Sequence, residues 1–365
     1  MNTNQLIITP EAIAHNYKIL QSWAGGDTHL MAVIKSDAYG HGIVPTATAL
    51  TEAGCHQFAV FDTAEALYLR EKKFTQPILV LKGFDPEDMD KAIVNNLTSV
   101  LFRKDTAEQI SQAAQALGTK ANVQIKIDTG MNRLGVYPQE LTDFMQHLKH
   151  LHGIRVNGFI SHFAVSDQPD DKYTHKQMQT FQDAISHVKD QISHIANSGG
   201  IISRKGLNYP VARAGIAIYG SSPDPDWELA SQLEPAIRLI SQVLHIKTVP
   251  PNETISYGRT YKTQHSARIA TLPVGYANGY NRQLSNKACV LIHGKRAPVV
   301  GRVCMNLIMV DVSHIPNIHP GTPVVLLGKQ LNDYISADEM AAWANTISYE
   351  IMCLMGACNE RIYCD

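Results

Sequence analysis

Between residues 28 and 220, short apolar runs alternate with longer amphipathic segments, and this alternation constrains the fold more tightly than any other feature. THLMAVIKS precedes IVPTATALTEAG, QFAVF precedes DTAEALYLREKK, PILVLKG precedes PEDMDKAIVNN, and TSVLF precedes TAEQISQAAQALG. NVQIKID then precedes PQELTDFMQHLKH, IRVNGFISHFA precedes YTHKQMQTFQDAISHVKD, and HIANSGGIIS and PVARAGIAIYG end the series. Short β-branched runs separated by helix-length segments predict parallel strands joined by crossover helices. DTAEALYLREKK is acidic first and basic last, Pro86 suits the opening of a helix, and Gly118 suits its end. So many repeats in one unit predict an α/β fold with a (β/α)8, TIM-like barrel.

The alternation stops at GSSPDPDWE, residues 220–228, a turn-rich stretch that reads as a domain boundary. Beyond it lie the strand-like runs IRLISQVLHIKTV, RIATLPVGYA, ACVLIHGKRAPVVGRVCMNLIMVDV and TPVVLLG, with a hairpin expected at HGK and one helix at SADEMAAWANTI. The expected division is a barrel over 11–228 and a mainly β C-terminal domain over 229–365, with residues 1–10 as an N-terminal strand packing with the latter.

A chain of 365 residues with 44% hydrophobic and 18% charged residues can bury a large core. Its formal net charge of −1 and the lack of a basic stripe argue against nucleic acid. No apolar run is long enough to span a bilayer, and the first residues lack a signal-peptide pattern. The six cysteines form no CxxC pair and read as reduced thiols, and the sixteen histidines show no metal spacing. A cytoplasmic chain without a metal site is the expectation.

In a parallel barrel, chemistry collects where strands end and loops begin. Polar residues that would be odd inside a strand sit at such ends: Lys35 after MAVI, Arg133 after QIKIDTGMN, His162 after GFIS, Asn197-Ser198 after HIA, and Arg213 in PVARAG. Lys35 alone reads as the first solvated residue past a strand. Five such ends together argue for a site. A lysine there can be a salt-bridge partner, a phosphate binder or a Schiff-base nucleophile. If it carries pyridoxal phosphate, Arg213 beside Gly215 and the hydroxyl of Ser198 supply suitable partners for the ring and phosphate.

KSDAYGHG, IKIDTGMNRLG, SHFA, ANS, ARAGIAIYG, ISYGRTY, LPVGYANGY, VGRVCMN and TISYE follow one another in this order along nearly the whole chain. Together they resemble the alanine racemases, fold type III pyridoxal phosphate enzymes built as head-to-tail homodimers of a barrel and a β domain. The resemblance implies pyridoxal 5'-phosphate bound through Lys35, which also acts as one catalytic base. It implies that Tyr257 is the opposite base and acts in the partner's site, where Met305 holds the carboxylate of a small amino-acid substrate through its backbone N–H. Tyr39, Ser198, Gly215 and Ile216 match phosphate-binding positions. Arg213 matches the residue facing the pyridine nitrogen, His194 its supporting partner, and His162 the residue beside the ring. Arg133 matches a residue contacting cofactor and substrate, and Lys126 a lysine that is often carbamylated. Tyr276, Arg282 and Arg302 fall where the family lines its entry corridor.

Two positions depart from the family pattern. Asn306 stands where aspartate is usual, and Ala357 stands where many relatives carry a tyrosine over the cofactor phosphate, with Asn359 two residues on. A wider pocket with a nearby amide suits serine as well as alanine, because a hydroxymethyl is weakly excluded by an apolar pocket. The expected role is the supply of D-amino acids for peptidoglycan precursors. The pattern also resembles the alanine/serine racemase domains of membrane-bound vancomycin-resistance proteins. By that resemblance a dedicated serine racemase, as the cytoplasmic domain of such a membrane protein, is one alternative; a fold type III decarboxylase and a non-catalytic pyridoxal phosphate homeostasis protein are the other competing readings. The former lacks support from a second-domain cysteine motif, and the latter has no β domain.

Overall fold

The computed structural model describes residues 4–168, 172–186, 191–223 and 227–364. Parts of three sequence expectations fall outside them: residues 1–3 of the N-terminal strand segment, 187–190 of the helix after IRVNGFISHFA, and 224–226 of the turn-rich boundary. The chain divides into two compact units, Ile13–Ala38 with Ile43–Leu233, and Met1–Ala12 with Tyr39–Gly42 and Glu234–Asp365.

Strand β1 (Gln5–Ile8) belongs to the second unit. The first unit holds β2 (His29–Val33), β3 (Phe58–Val60), β4 (Ile78–Val80), β5 (Thr98–Leu101), β6 (Ala121–Lys126), β7 (Ile154–Ile160), β8 (Ile192–His194) and β9 (Val211–Ala214). They pair in parallel in the order β8-β7-β6-β5-β4-β3-β2-β9. Just past β8, the carbonyl of Ala196 accepts from the N–H of Arg213 in β9 at 3.0 Å. The eight strands therefore form a nearly closed, TIM-like barrel.

Local chemistry explains the elements. β3 and β4 are buried at every residue, as strands covered on both faces must be. Helix Thr63–Glu71 begins at Asp62, whose carboxylate accepts from the Glu65 N–H at 3.0 Å. Pro86 opens a 3-10 turn, Pro86–Asp88, closed by the Asp88 N–H on Asp85 O, and the α-helix starts only at Met89. In β7, a Cβ added to Gly158 would lie 2.2 Å from Ile192 O, so only glycine permits the close approach of β7 to β8.

The second unit is mainly β. Its larger sheet runs β16 (Lys295–Pro298), β15 (Cys289–Ile292), β18 (Pro323–Gln330), β10 (Ile237–Gln242), β1 and β20 (Arg361–Tyr363), with β19 (Asp333–Ile335) on β18. β1 is antiparallel to β10 and parallel to β20. A three-stranded sheet joins β11 (His245–Val249), β14 (Ala267–Leu272) and β17 (Ile308–Asp311), and β12 (Thr254–Ile255) pairs β13 (Tyr261–Lys262). Val249, Ile255, Ala267, Ile269 and Val300 form a core cluster there. The hairpin at HGK is present: His293 and Gly294 both have positive φ, as a tight two-residue turn requires.

IRLISQVLHIKTV, one run in the sequence, is split between two sheets. The Val243 N–H goes to Thr322 O and the Leu244 N–H to Thr271 O, so successive residues are drawn to different partners. Helices Ala337–Ala344 and Ser348–Cys358 close the unit, the first capped by the Ser336 hydroxyl accepting from the Glu339 N–H. Among the described residues no helix is long and apolar enough to cross a membrane, and no group of His, Cys, Asp or Glu is placed to hold a metal ion.

Candidate active site

Parallel strands deliver all their C-terminal ends to one mouth. Lys35 lies two residues past β2, Lys126 ends β6, Ser161 and His162 follow β7, His194 ends β8, and Arg213 sits in β9. Lys35 is half-buried and is followed by four residues, Ser36 to Tyr39, in the left-handed region with φ between 51° and 55°. Each such residue costs about 1–2 kcal/mol. Hydrogen bonds within the barrel unit offset that cost. The Asp37 N–H donates to Glu65 at 3.2 Å, the Ile43 N–H donates to Asp37 at 2.7 Å, and the Ala38 N–H donates to Ile34 O.

Arg213 is 3% exposed, and among the described residues its guanidinium bonds carbonyls and imidazoles and no carboxylate. Its guanidinium donates to the carbonyls of Ser161 (2.6 Å), Ile195 (3.1 Å) and His194 (3.3 Å), and to Nδ1 of both His194 and His162. Arginine has no acceptor, so each of these ring nitrogens must present a lone pair. Both imidazoles are therefore neutral with the proton on Nε2. Burial and the surrounding cations agree. Burial first, then Arg213 and Lys126, hold the His194 pKa well below the usual histidine value. The same causes, with Arg133 and Lys35, act on His162. Burial, then Arg133, lowers Arg213 itself to about 9.

Lys126, Asp128, Arg133, Ser161 and His162 line one small cavity. The chain returns to it through a tight loop in which the Asp128 carboxylate accepts from the N–H groups of Gly130 (2.9 Å) and Asn132 (3.1 Å). Gly135, at φ 137°, lets the loop close back on Asp128. Arg133 rides on this loop and is exposed. Burial and the Arg213 and Arg133 charges push the Lys126 ammonium far below its ordinary range, against a weaker pull from Asp128.

Ser198 is buried at the start of helix Ser198–Ile202, where the Asn197 side chain accepts from the Gly200 N–H at 3.0 Å. The Ser198 oxygen accepts from the N–H of Gly215 at 2.9 Å and of Ala217 at 3.4 Å. Its own O–H is thereby directed elsewhere. Ile216 is buried beside Gly215.

The second unit carries the remaining candidates. Tyr39 is buried, its ring 5.9 Å from that of Tyr349, and burial with Tyr349 and Cys353 raises its phenol pKa, keeping it protonated. A Cβ on Gly356 would lie 2.1 Å from Gly40 O, so helix Ser348–Cys358 packs backbone to backbone on the turn after Tyr39. Tyr257 is 71% exposed on a turn in which Ser256, Gly258 and Arg259 all have positive φ. Ser256 donates to Arg302 O at 2.7 Å, and the Gly258 backbone packs against the Arg302 side chain. The Tyr276 and Ala277 N–H groups donate to Cys304 O and Met305 O, tying exposed Tyr276 to exposed Met305. Asn306 is exposed in the turn closed by the Cys304 N–H on Leu307 O. Arg282 is exposed, and Ser285 links its carbonyl to the Val303 N–H. Ala357 is exposed near the helix end, and the Asn359 amide nitrogen donates to Asn278 O and Met355 O, both at 2.9 Å.

Sequence reasoning did not single out Gln124, whose side chain accepts from His194, or Asp128 and Glu65, which shape the two loops. Gln124 had a signal: an amide between valine and isoleucine in NVQIKID interrupts a buried strand.

Two family models match the chain: "Alanine racemase, N-terminal domain" over residues 8–223 and "Alanine racemase, C-terminal domain" over 236–363. An alanine racemase of Syntrophobacter fumaroxidans is 40% identical over 349 residues, covering 94% of this chain and 93% of the relative. Among solved structures, the alanine racemase of Streptomyces lavendulae is similar with a TM-score of 0.94 at 31% identity, covering 100% of this chain and 98% of its own. That of Bacillus anthracis with bound L-Ala-P gives 0.91 at 34% identity, covering 100% and 96%.

Proposed function

Since the chain belongs to the alanine racemase family, whose members are pyridoxal 5'-phosphate-dependent isomerases, we propose that it interconverts L- and D-alanine with two bases, Lys35 and Tyr257 of the partner subunit. When bound, the cofactor supplies the electron sink that acidifies the Cα–H of an amino acid. The residues at the barrel mouth fit such a group. Lys35, Lys126, Arg133 and Arg213 concentrate positive charge that an anionic phosphate and a substrate carboxylate would neutralise. Lys35 would hold the cofactor by its aldehyde. The Ser198 hydroxyl, the Tyr39 phenol and the Gly215 and Ile216 backbone would hold its phosphate.

Arg213 carries this reading. A donor-only guanidinium, held by neutral imidazoles and carbonyls, would face the pyridine nitrogen and keep it unprotonated. His162 would pack beside the ring. An unprotonated ring would be a weaker electron sink, which favours prompt return of the proton to Cα. Racemisation needs that return from the opposite face. Tyr257 supports the role because its phenol stands in solvent within its own unit. A second copy of the chain would exclude water from it and bring the Met305 N–H to the substrate carboxylate.

Lys126, whose ammonium is disfavoured by burial and by Arg213 and Arg133, is suited to take up carbon dioxide through its amine, with release of a proton, as a carbamate that pairs with Arg133. Tyr276, Arg282 and Arg302, linked through the 276–277 and 302–305 turns, would line the approach, with Asn306 removing one carboxylate from it. Serine is the second substrate of this reading. Ala357 leaves room where a phenol would narrow the pocket, and Asn359, with its amide hydrogens engaged, offers its oxygen to a hydroxyl. The products suit peptidoglycan precursors.

The test is racemisation of L-alanine and L-serine by the purified protein with added pyridoxal phosphate, followed by chiral separation. Comparable kcat/KM values support the dual reading. Alanine turnover with serine lower by more than about two orders of magnitude removes serine. Cofactor binding without turnover of either overturns the racemase reading and favours a carrier.

A further inference from the structure

Resting on the reading that Arg213 faces the cofactor ring, we propose that Gln124 is a positioning residue that fixes the proton of His194 on Nε2 and thereby the aim of Arg213. The observations come from three strands. Gln124, in β6, is 4% exposed, and its Oε1 lies 2.8 Å from Nε2 of His194, which ends β8 and is fully buried. On its other side, Nδ1 of His194 faces the Arg213 guanidinium from β9.

Proton counting leaves one arrangement. Arg213 can only donate, so Nδ1 must accept. The single proton of a neutral imidazole then sits on Nε2 and needs an acceptor, which is the amide oxygen of Gln124. Turning the amide over would set its NH2 against Nε2 and force the imidazole proton onto Nδ1, donor against donor at Arg213. The amide orientation, the tautomer and the guanidinium position are therefore one linked choice.

The barrel provides the path. β6 and β8 are not neighbours: β7 lies between them, and two strand steps span roughly 10 Å. Pairing of β6 with β7 shifts register between Val123 and Gln124, which sets Gln124 opposite Gly158. A Cβ at Gly158 would stand 3.3 Å from Gln124 Cγ and 2.2 Å from Ile192 O. The glycine thus leaves room for the amide to pass across β7 to His194.

An amide suits this position where a carboxylate would not. Glutamate would stabilise an imidazolium at His194, placing a second cation and an Nδ1–H against Arg213. Histidine at 124 would keep a neutral ring nitrogen able to accept.

The experiment uses 15N-histidine-labelled protein without cofactor and reads the His194 ring by long-range 1H–15N correlation. Cofactor affinity by fluorescence titration and the kcat and KM for alanine are measured on the same variants. The wild type should show the neutral Nε2–H form at pH 7. Gln124→Glu should show an imidazolium, with cofactor affinity and kcat each falling about tenfold and KM changing less than about twofold. Gln124→His should keep the neutral form and stay within about twofold of wild type in all three. A His194 that stays neutral in Gln124→Glu overturns the proposal, as does a tenfold loss in a folded Gln124→His. A His194 that becomes charged while affinity and kcat hold overturns the placement of Arg213 at the ring, the reading beneath it.

Discussion

The barrel mouth and the exposed turns of the β unit hold their candidate side chains in opposite ways. In the barrel, Arg213 and His194 are buried and hydrogen-bonded to one another, and their surroundings lower both pKa values. In the β unit, Tyr257, Tyr276 and Met305 are exposed. Strain in the barrel, the left-handed turn after Lys35, is countered by side-chain clamps from Asp37 and Glu65. Strain in the β unit, at Ser256 and Arg259, presents Tyr257 outward. One region is preorganised by its own fold. The other leaves Tyr257 in solvent within its own unit.

The largest effects should come from the two proposed bases. Lys35→Ala should lower racemisation at least about 10⁴-fold, measured by chiral separation, with little change in thermal unfolding. Tyr257→Phe should cost about 10²- to 10⁴-fold in kcat, and its unfolding midpoint should match wild type, because removing an exposed hydroxyl changes stability by less than about 0.5 kcal/mol. Mixing the two variants sharpens the comparison. If a site takes Lys35 from one subunit and Tyr257 from the other, exchanged dimers contain one intact site and activity returns. Failure to regain activity after subunit exchange, with mixed dimers confirmed by native mass spectrometry, would place both bases in one chain.

Ala357→Tyr comes next. It should lower kcat/KM for serine relative to alanine by about 10- to 100-fold, and an unchanged ratio would remove Ala357 from the pocket.

The pH response of the fold tests the barrel side alone. His162 and His194 have folded pKa values below their unfolded ones, so the unfolded chain binds more protons beneath about pH 6.5. Their contribution is present above that pH and is lost as pH falls, at about 1.4 kcal/mol per pH unit for each histidine. Urea unfolding of cofactor-free protein between pH 7 and pH 5 should show a steeper loss than His194→Gln. Parallel curves would mean that His194 charges freely in the fold.

Much of the barrel was legible because its signals are local. Asp62 caps where an acidic-first segment begins, β3 and β4 are buried throughout as their apolar runs suggest, and the turn at His293-Gly294 forms where a hairpin was expected. The break of IRLISQVLHIKTV was not legible, since it depends on Thr271 and Thr322 from distant strands. The site divides in the same way. Lys35, His162, Ser198 and Arg213 stood out as polar residues at strand ends, whereas Gln124 gained meaning only across β7.

The order of strands and helices, and the chemistry collected at the strand ends, were determined by the sequence alone, because propensity, capping and hydrophobic period act over a few residues. Tertiary structure decided which groups are pushed towards the neutral form. Lys126, His162 and His194 take their protonation from burial and from cations brought in by other strands, and Arg213 takes its orientation from partners on β7 and β8. Electrostatic free energy depends on distance through space and on solvent access, and neither is written in the order of residues along the chain.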